Sequence, residues 1–307
     1  MGTILRVPEL LVVANGRMAQ SRKWDRAAAR LRSLFAGRIE IRVTSGRGDA
    51  TRLAREALGE GVSWLAAAGG DGTINEVVNG LVGAEGRAHP EATLSFLPCG
   101  TANDWVRTLG VPLRLDEAID TLPGAAVRTV DVGVAEFPRL GCRRAFLNFA
   151  EIGAGSEVIR RIEARSGPSW RGKYLLAAVA VAFSYRPRSL EMSIDAGPPE
   201  RSGPLLSLVA AGGRYFGSGI HVAPMARPDD GLFELISIGD FGKLEVLRKI
   251  GSFVRGEYLH EPKVRHRSVG TVRLSSETAM PVVLDGELAG ELPVWLSVLP
   301  RALRVRC

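Results

Sequence analysis

The sequence has few cysteines and no motif that would bind a metal through them. Its 307 residues include only Cys99, Cys142 and Cys307, which are far apart and form no CxxC pair. This spacing argues against a zinc site and against a disulfide framework, so we expect a reducing compartment. The four histidines show no metal-ligand spacing either, and only His221, near a glycine-rich loop, is of functional interest.

Long apolar runs are also missing. The longest run, from Tyr174 to Phe183, is about half of the roughly 20 residues that cross a bilayer. Residues 1–17 lack the apolar core and the cleavage site of a signal peptide. We therefore expect a cytoplasmic protein that is at most peripheral at the inner face of the membrane.

Three common catalytic motifs are absent, and the composition names no single partner. The chain has no GxxxxGK[ST], no GxGxxG that opens a helix and no GxSxG, which argues against P-loop, Rossmann and serine-hydrolase sites. With 46% hydrophobic and 24% charged residues, the composition is that of an ordinary globular protein. The net charge of +7 favours an anionic partner, whether nucleic acid, a phosphorylated ligand or an anionic membrane.

Two sequence patterns divide the chain near residue 125. In the first part, apolar runs alternate with helical patterns; strands are predicted at 10–14, 39–44, 64–70 and 93–100, and helices at 24–35, 50–58, 73–82, 103–109 and 116–121. In the second part, short strands are separated by Gly and Pro turns, and helices are predicted near 156–164, 174–183 and 244–254. We therefore predict an α/β domain with a parallel sheet over residues 1–125 and a β-sandwich domain over 126–301, with a cleft between them.

Glycine-rich turns follow the third and fourth predicted strands. The first, Gly69 to Thr73, stands where a helix begins, and a helix N-terminus offers unpaired N–H groups and a positive dipole end to an anion. Asp71 then positions the loop or acts through Mg²⁺, although such a turn can also be purely structural. In the second, Gly100 and Thr101 offer donors, while Asn103 and Asp104 either join them or only cap the next helix.

Two weaker turns, at Asn15-Gly16 and at residues 44–49, end the first two predicted strands. Because parallel strands bring their carboxyl ends to one edge, the four turns together predict a nucleotide site. The second half adds carboxylates at Asp229-Asp230 and at Asp285 to Glu287. These acids suit a base and a Mg²⁺ ligand for phosphoryl transfer, or else they are solvated residues of ordinary β-turns.

Five blocks of the sequence occur in an order that has a known counterpart: GGDGTINEVVNGL, LPCGTANDWVRTLG, FLNFAEIGAG, GGRYFGSGIHVAPMARPDDGLFEL and LDGE. Together they resemble the diacylglycerol kinase catalytic-domain family, which includes bacterial soluble lipid kinases and the sphingosine and ceramide kinases. The resemblance runs from about residue 10 to residue 304. GTAND separates the lipid kinases from NAD kinases and phosphofructokinases, which carry loops similar to GGDGT.

The resemblance implies a phosphofructokinase-like α/β domain, a β-sandwich and ATP bound between them. It places on the ATP phosphates Gly69, Gly70, Asp71, Gly72, Thr73, Ile74 and Asn75. It adds Thr44 and Thr101 as nucleotide contacts. Asn15 matches the family's opening loop, although Gly16 stands where that loop has Pro. The position of the second turn adds Gly100 and Asn103 to the predicted nucleotide site.

The resemblance also implies roles for residues of the second half. Glu287 matches the general base that deprotonates the lipid hydroxyl, with Asp285 in support. The segment PMARPDDGL resembles a Mg²⁺ site whose ligands are Asp230 and the backbone of Arg227 and Leu232. Residues 302–307 are expected to return to the first domain.

These observations leave three hypotheses of function. The first is an ATP- and Mg²⁺-dependent lipid kinase that acts on a membrane lipid such as diacylglycerol or a sphingoid lipid. The alternative is a nucleotide-binding regulatory protein of the same fold without lipid turnover, and a kinase acting on a soluble alcohol is a third reading. A lipid at the membrane surface is the expected partner, reached through basic clusters such as Arg143-Arg144, Arg160-Arg161 and Arg171 with Lys173, unless these serve only solubility. No nucleic-acid partner is expected, and a homodimer is the oligomer considered.

Overall fold

The computed structural model describes residues 7–307 except 84, 85, 87, 165–176, 178, 179, 182, 218, 244, 246, 247, 250, 251, 253 and 254. The predicted helices at 174–183 and 244–254 lie largely outside these residues, and so do Arg171 and Lys173. The chain divides into two compact units, one of Met1–Asp131 with Arg301–Cys307 and one of Val132–Pro300. Within the described ranges, no helix has the length and apolar character needed to cross a membrane.

The first unit is a parallel sheet with connecting helices. Its elements are β1 (Leu10–Ala14), α1 (Arg22–Leu34), β2 (Ile39–Val43), α2 (Asp49–Gly59), β3 (Trp64–Gly69), α3 (Asp71–Leu81), β4 (Thr93–Pro98), α4 (Asp104–Leu109) and α5 (Leu115–Thr121). The four strands pair in parallel in the order β2-β1-β3-β4. Every residue of β1, β3 and β4 is buried, as expected for strands that are covered on both faces and read as continuous apolar runs.

Local sequence explains where α1 begins and which face it buries. The Ser21 hydroxyl accepts a hydrogen bond from the Trp24 N–H at 3.2 Å, which caps the first turn. Trp24, Ala27, Ala28 and Leu31 are buried, and their spacing places them along one face of the helix. The polar residues between them remain toward solvent, so the helix packs by its apolar stripe.

The C-terminal residues of the chain complete the first unit's sheet. Strand β18 (Val294–Arg306) pairs in parallel with β4 through Arg304 opposite Thr93 and Val305 opposite Leu94. The Ser95 hydroxyl donates to the Arg306 carbonyl at 3.0 Å, and the Arg306 guanidinium lies 4.1 Å from the centre of the Trp64 ring. The last residues therefore form a fifth parallel strand beside β4.

The second unit contains the antiparallel strands. Strand β5 (Val127–Phe137) begins in the first unit and ends in the second. The other elements of the second unit are β6 (Cys142–Phe146), β7 (Phe149–Gly153), α6 (Ala154–Glu163), β8 (Glu191–Ile194), β9 (Glu200–Arg201), β10 (Leu205–Ala211), β11 (Tyr215–Phe216), β12 (Ile220–His221), β13 (Phe233–Gly239), β14 (Val264–Val269), β15 (Thr271–Ser275), β16 (Pro281–Leu284) and β17 (Glu287–Glu291). Six of them form a sheet in the order β14-β13-β10-β7-β16-β17.

The core of the second unit lies between that sheet and the remaining strands. Leu208 and Val282 of the six-stranded sheet share one apolar cluster with Met192 of β8, Val272 of β15 and Leu296 of β18. Two layers of strands that share one core form a sandwich. The predicted fold class, an α/β domain followed by a β-sandwich, is confirmed.

The buried C-terminal strand generates a prediction about stability. Val305 is fully buried against β4, so Val305→Ala removes two buried methyl groups and leaves a cavity. We expect the free energy of unfolding to fall by about 2 kcal/mol in urea denaturation. Val7→Ala, at an exposed position, is the matched control and should change it little. A loss of stability no larger than that of the control would show that the C-terminal strand is not part of the folded core.

Candidate active site

The loops that follow β1, β2 and β3 are linked by hydroxyl and amide side chains. The Thr44 hydroxyl accepts a hydrogen bond from the Gly16 N–H at 3.0 Å, and the Asn15 amide donates to the Thr73 hydroxyl at 3.1 Å. Thr44 and Thr73 are both more than 90% buried. Three of the four predicted turns thus meet at the carboxyl edge of the sheet, as the strand order requires.

The glycine-rich loops after β3 and β4 pack backbone against backbone. A Cβ added to Gly70 would lie 3.1 Å from the Gly100 Cα, and a Cβ added to Gly100 would overlap Gly70 and lie 2.8 Å from the Asn103 Oδ1. The Cys99 N–H donates to the Gly69 carbonyl at 2.8 Å and joins the two loops at their base. Glycine is therefore required at position 100, a side chain at position 70 would be crowded, and the N-terminus of α3 lies beside the second loop.

Asn103 closes the second loop instead of capping the helix that follows. It has a left-handed backbone with φ of 52°, and its Oδ1 accepts from the Gly100 N–H at 3.1 Å while its Nδ2 donates to the Gly100 carbonyl at 2.9 Å. Its side chain makes no cap bond to α4, so of the two roles that the sequence left open for Asn103, helix capping is wrong. Thr101, which lies between the hydrogen-bonded Gly100 and Asn103, is exposed.

Asp71 connects the two loops through the following helix. Its Oδ1 accepts a hydrogen bond from the Trp105 N–H, which belongs to the first turn of α4, at 3.2 Å. This contact supports the positioning role that the sequence suggests for Asp71. Of the other residues assigned to the nucleotide, Gly72 stands in the first turn of α3, Ile74 points into the apolar core, and the Asn75 Oδ1 accepts from the Asn79 amide.

Glu76 is a residue of this region whose role sequence reasoning missed. Its carboxylate accepts hydrogen bonds from the Gly48 N–H at 2.8 Å and the Ala50 N–H at 3.1 Å, at the start of α2. A carboxylate suits the positive end of a helix dipole. Since Glu76 is on α3, it holds α2 and α3 together behind the loops, which no local sequence signal could have shown.

In the second unit, Asp285 and Glu287 lie in the hairpin that joins β16 and β17. The Asp285 carboxylate accepts three backbone hydrogen bonds, from Leu147 at 2.9 Å, Asn148 at 2.8 Å and Phe149 at 3.0 Å. It has a positive φ of 48°, and Gly286 has one of 89°, as a tight hairpin turn requires. Asp285 therefore clamps the hairpin to the start of β7 and places Glu287, which is half-buried, at the first position of β17.

The predicted Mg²⁺ loop has oxygen donors of the appropriate kind. The Asp230 Oδ1 accepts from the Leu232 N–H at 3.1 Å, and Gly231 between them has a positive φ of 78°. A carboxylate together with the Arg227 and Leu232 carbonyls is a hard-oxygen set that suits Mg²⁺, which usually retains several waters. In the portion of the chain that the structure describes, no three His, Cys, Asp or Glu side chains lie close enough to hold a metal.

Glu151 is a second residue whose role sequence reasoning missed. It lies on β7, is 5% exposed, and accepts hydrogen bonds from the Ser207 hydroxyl at 2.7 Å and the Gly155 N–H at 3.1 Å. Burial raises its pKa to about 7. Its Oε2 and the Tyr185 hydroxyl are both buried without a hydrogen-bond partner among the described residues. A glutamate within the apolar FLNFAEIG block was the only available sequence signal.

Comparison with known proteins adds family matches over most of the chain. The diacylglycerol kinase catalytic domain matches residues 9–135, and the YegS C-terminal NAD kinase beta sandwich-like domain matches residues 149–307. A Chromohalobacter salexigens protein named Probable lipid kinase YegS-like is 34% identical over 95% of this chain and 91% of its own length. The Diacylglycerol kinase of Bacillus subtilis is 30% identical over 85% of this chain and 83% of its own.

Solved structures match along the whole chain as well. A crystal structure from Bacillus anthracis str. Sterne covers 98% of this chain and 97% of its own, with 25% sequence identity and a TM-score of 0.78. Both units of the fold are therefore shared with it.

The buried carboxyl of Glu151 generates a prediction about pH. Its folded pKa of about 7 lies above the ordinary value of 4.5, so the folded state binds the proton more tightly than the unfolded state does. The free energy of unfolding should therefore fall as the pH rises from about 5 through 7. Glu151→Gln should remove up to about 3 kcal/mol of that fall, measured by urea denaturation across this range.

Glu291→Gln is the control for this experiment because Glu291 is exposed. It should keep the wild-type dependence on pH. An unchanged slope in Glu151→Gln would contradict the raised pKa.

Proposed function

The chain belongs to the diacylglycerol kinase catalytic-domain family, and on that premise we propose that it is a lipid kinase dependent on ATP and Mg²⁺. It transfers the γ-phosphoryl group of ATP to the hydroxyl of a membrane lipid such as diacylglycerol or a sphingoid or related lipid. The observation that carries the proposal is the backbone contact of Gly70 with Gly100 beside the N-terminus of α3.

The first unit supplies the phosphate site of the proposed reaction. At the start of α3, N–H groups without an intrahelical partner and the positive dipole end favour a polyphosphate. Because Gly70 and Gly100 have no side chains, the two loops pack together beside the N-terminus of α3, and Gly69 leaves room for the Thr73 side chain. Asn15, Thr44 and Thr73 lie at the same edge and brace the loops with side-chain hydrogen bonds.

The second unit supplies the base. Glu287 accepts the proton of the lipid hydroxyl as its oxygen attacks the γ-phosphorus, and the bond from that phosphorus to the bridging oxygen of ADP breaks. Asp285 is a positioning residue, since its three backbone hydrogen bonds hold the turn from which Glu287 projects. The Asp285 carboxylate is bound to backbone N–H groups, whereas Glu287 is the first residue of the strand that follows the turn.

Mg²⁺ would neutralise the charge of the phosphates when bound with ATP. A second, structural Mg²⁺ would be held by the Asp230 carboxylate and the Arg227 and Leu232 carbonyls. The turn at Gly231, which already brings Asp230 to Leu232, supports that assignment.

The expected setting is the cytoplasmic face of a membrane. A lipid acceptor lies in a bilayer, and the net charge of +7 favours an anionic surface. The enzyme would therefore act as a peripheral protein and find its acceptor at the membrane surface.

The contact between the glycine loops generates a prediction about nucleotide binding. Gly100→Ala places a Cβ against Gly70 and Asn103, so we expect ATP affinity to fall by at least about tenfold, a loss of roughly 1.4 kcal/mol. Isothermal titration with ATP and Mg²⁺ measures it. Gly124→Ala is the matched control, because an added Cβ there meets no atom within 4 Å. Equal affinity in the two variants would remove the loops from the nucleotide site.

The assignment of the base generates a prediction about activity. Glu287→Gln keeps the shape of the side chain but cannot accept the proton, so kcat should fall by about 10²–10⁴-fold. Transfer of label from γ-labelled ATP is measured across diacylglycerol, monoacylglycerol, sphingoid bases, ceramide, undecaprenol and phosphatidylglycerol. Glu291→Gln, on the same strand but exposed, should retain activity.

Two outcomes of this assay would overturn separate parts of the proposal. Near wild-type transfer by a folded Glu287→Gln protein would remove Glu287 as the base. ATP binding by the wild type without transfer to any lipid of the panel would favour the nucleotide-binding regulator instead.

A further inference from the structure

The hairpin between β5 and β6 has an exposed tip with an unusual composition. Its tip segment, residues 138–144, reads PRLGCRR and contains three arginines and no acid. Leu140 at the turn is 61% exposed, more than any other large apolar side chain among the described residues. A single exposed leucine is common on protein surfaces, so its significance depends on its surroundings.

The tip segment has cations on both sides of Leu140 in the sequence. Arg139 precedes it directly, and Arg143 and Arg144 follow on β6. Arg143 pairs with Glu136 across the hairpin at 2.8 Å, whereas neither Arg139 nor Arg144 forms an ion pair with any residue that the structure describes. The tip segment therefore carries net positive charge around an apolar side chain, the composition of peripheral membrane anchors.

The hairpin holds this tip in a defined conformation. The N–H groups of Leu140 and Gly141 both donate to the Phe137 carbonyl at 3.0 Å, and Gly141 has a positive φ of 60°. Phe137, at the base of the turn, is 1% exposed. The leucine is thus presented to solvent by a turn that is anchored in the core, so little ordering would accompany its docking.

The tip also contacts the strand that carries Glu287. A Cβ added to Gly290 would lie 2.7 Å from the Phe137 ring and 3.3 Å from the Leu140 side chain, so the absence of one lets the hairpin lie on β17. Gly290 follows Glu287 by three positions, a distance of roughly 10 Å along a strand.

We propose that the tip segment docks on an anionic bilayer, with Leu140 inserted among the headgroups and Arg139 and Arg144 on lipid phosphates. Docked in this way, it holds β17 and the proposed base at the membrane surface. The functional importance of the location next to β17 rests on the proposed function. The charge favours a bilayer over a protein partner, since the tip exposes one apolar side chain among cations and no extended apolar patch.

The test is co-sedimentation with vesicles of phosphatidylglycerol mixed with phosphatidylcholine. Leu140→Asp with Arg139→Glu should lower the partition coefficient by at least about 25-fold, since each unit of charge near such a surface contributes about fivefold and Arg139→Glu alone changes the charge by two units. Leu34→Asp with Arg32→Glu is the control. It changes the net charge by the same amount at exposed positions of α1 in the first unit, and it should bind like the wild type.

The measured quantity is binding, so it is independent of phosphoryl transfer. Loss of binding in the tip variant alone supports the proposal. Equal binding by the two variants overturns the proposal. If both bind less than the wild type, binding depends on overall charge, and if both bind like the wild type, another surface binds the vesicles. Absence of kinase activity would count against the proposed function and not against this surface.

A second measurement does not depend on the folding of the tip variant. Cys142 is exposed within the tip segment, whereas Cys99 and Cys307 are half-buried. With those two replaced by alanine, an environment-sensitive fluorophore on Cys142 should shift to the blue with anionic vesicles and not with pure phosphatidylcholine. An unshifted spectrum with anionic vesicles would overturn the insertion.

Discussion

The close approach of two backbone loops is the constraint on which the first unit's candidate site depends. Gly70 and Gly100 come together because β3 and β4 are parallel neighbours, so their carboxyl ends emerge side by side. The contact leaves no room for a side chain, and the hydrogen bonds of Asn103 to Gly100 and of Asp71 to Trp105 keep it closed. The N-terminus of α3, which lies beside this contact, is a favourable place for a phosphate.

A carboxylate has the corresponding organising role in the second unit. Asp285 accepts hydrogen bonds from three backbone N–H groups at the start of β7. The same residue forms the turn that presents Glu287. Glu151 lies further along β7, where burial raises its pKa. The same strand therefore contains a titratable group and begins at the backbone that Asp285 binds.

Hydrophobic pattern predicted the fold well because parallel strands covered on both faces need continuous apolar runs, as β1 and β3 have. Glycine at a strand end predicted the loops for an equally local reason. Asn103 was harder, since its preference for helix caps competes with a left-handed conformation that only the neighbouring loop selects. Glu76 escaped notice because its partners are distant in the sequence.

The amino-acid sequence alone determined the order of strands and helices, the glycines of both loops and the resemblance in five blocks, since these are properties of local pattern. Only the tertiary structure decided that Ile74 faces the core, that Asp285 binds three N–H groups, that Glu151 is buried and that Leu140 is exposed beside β17. The physical reason is that burial and hydrogen-bond partners are set by residues distant in sequence, which are brought together by chain packing.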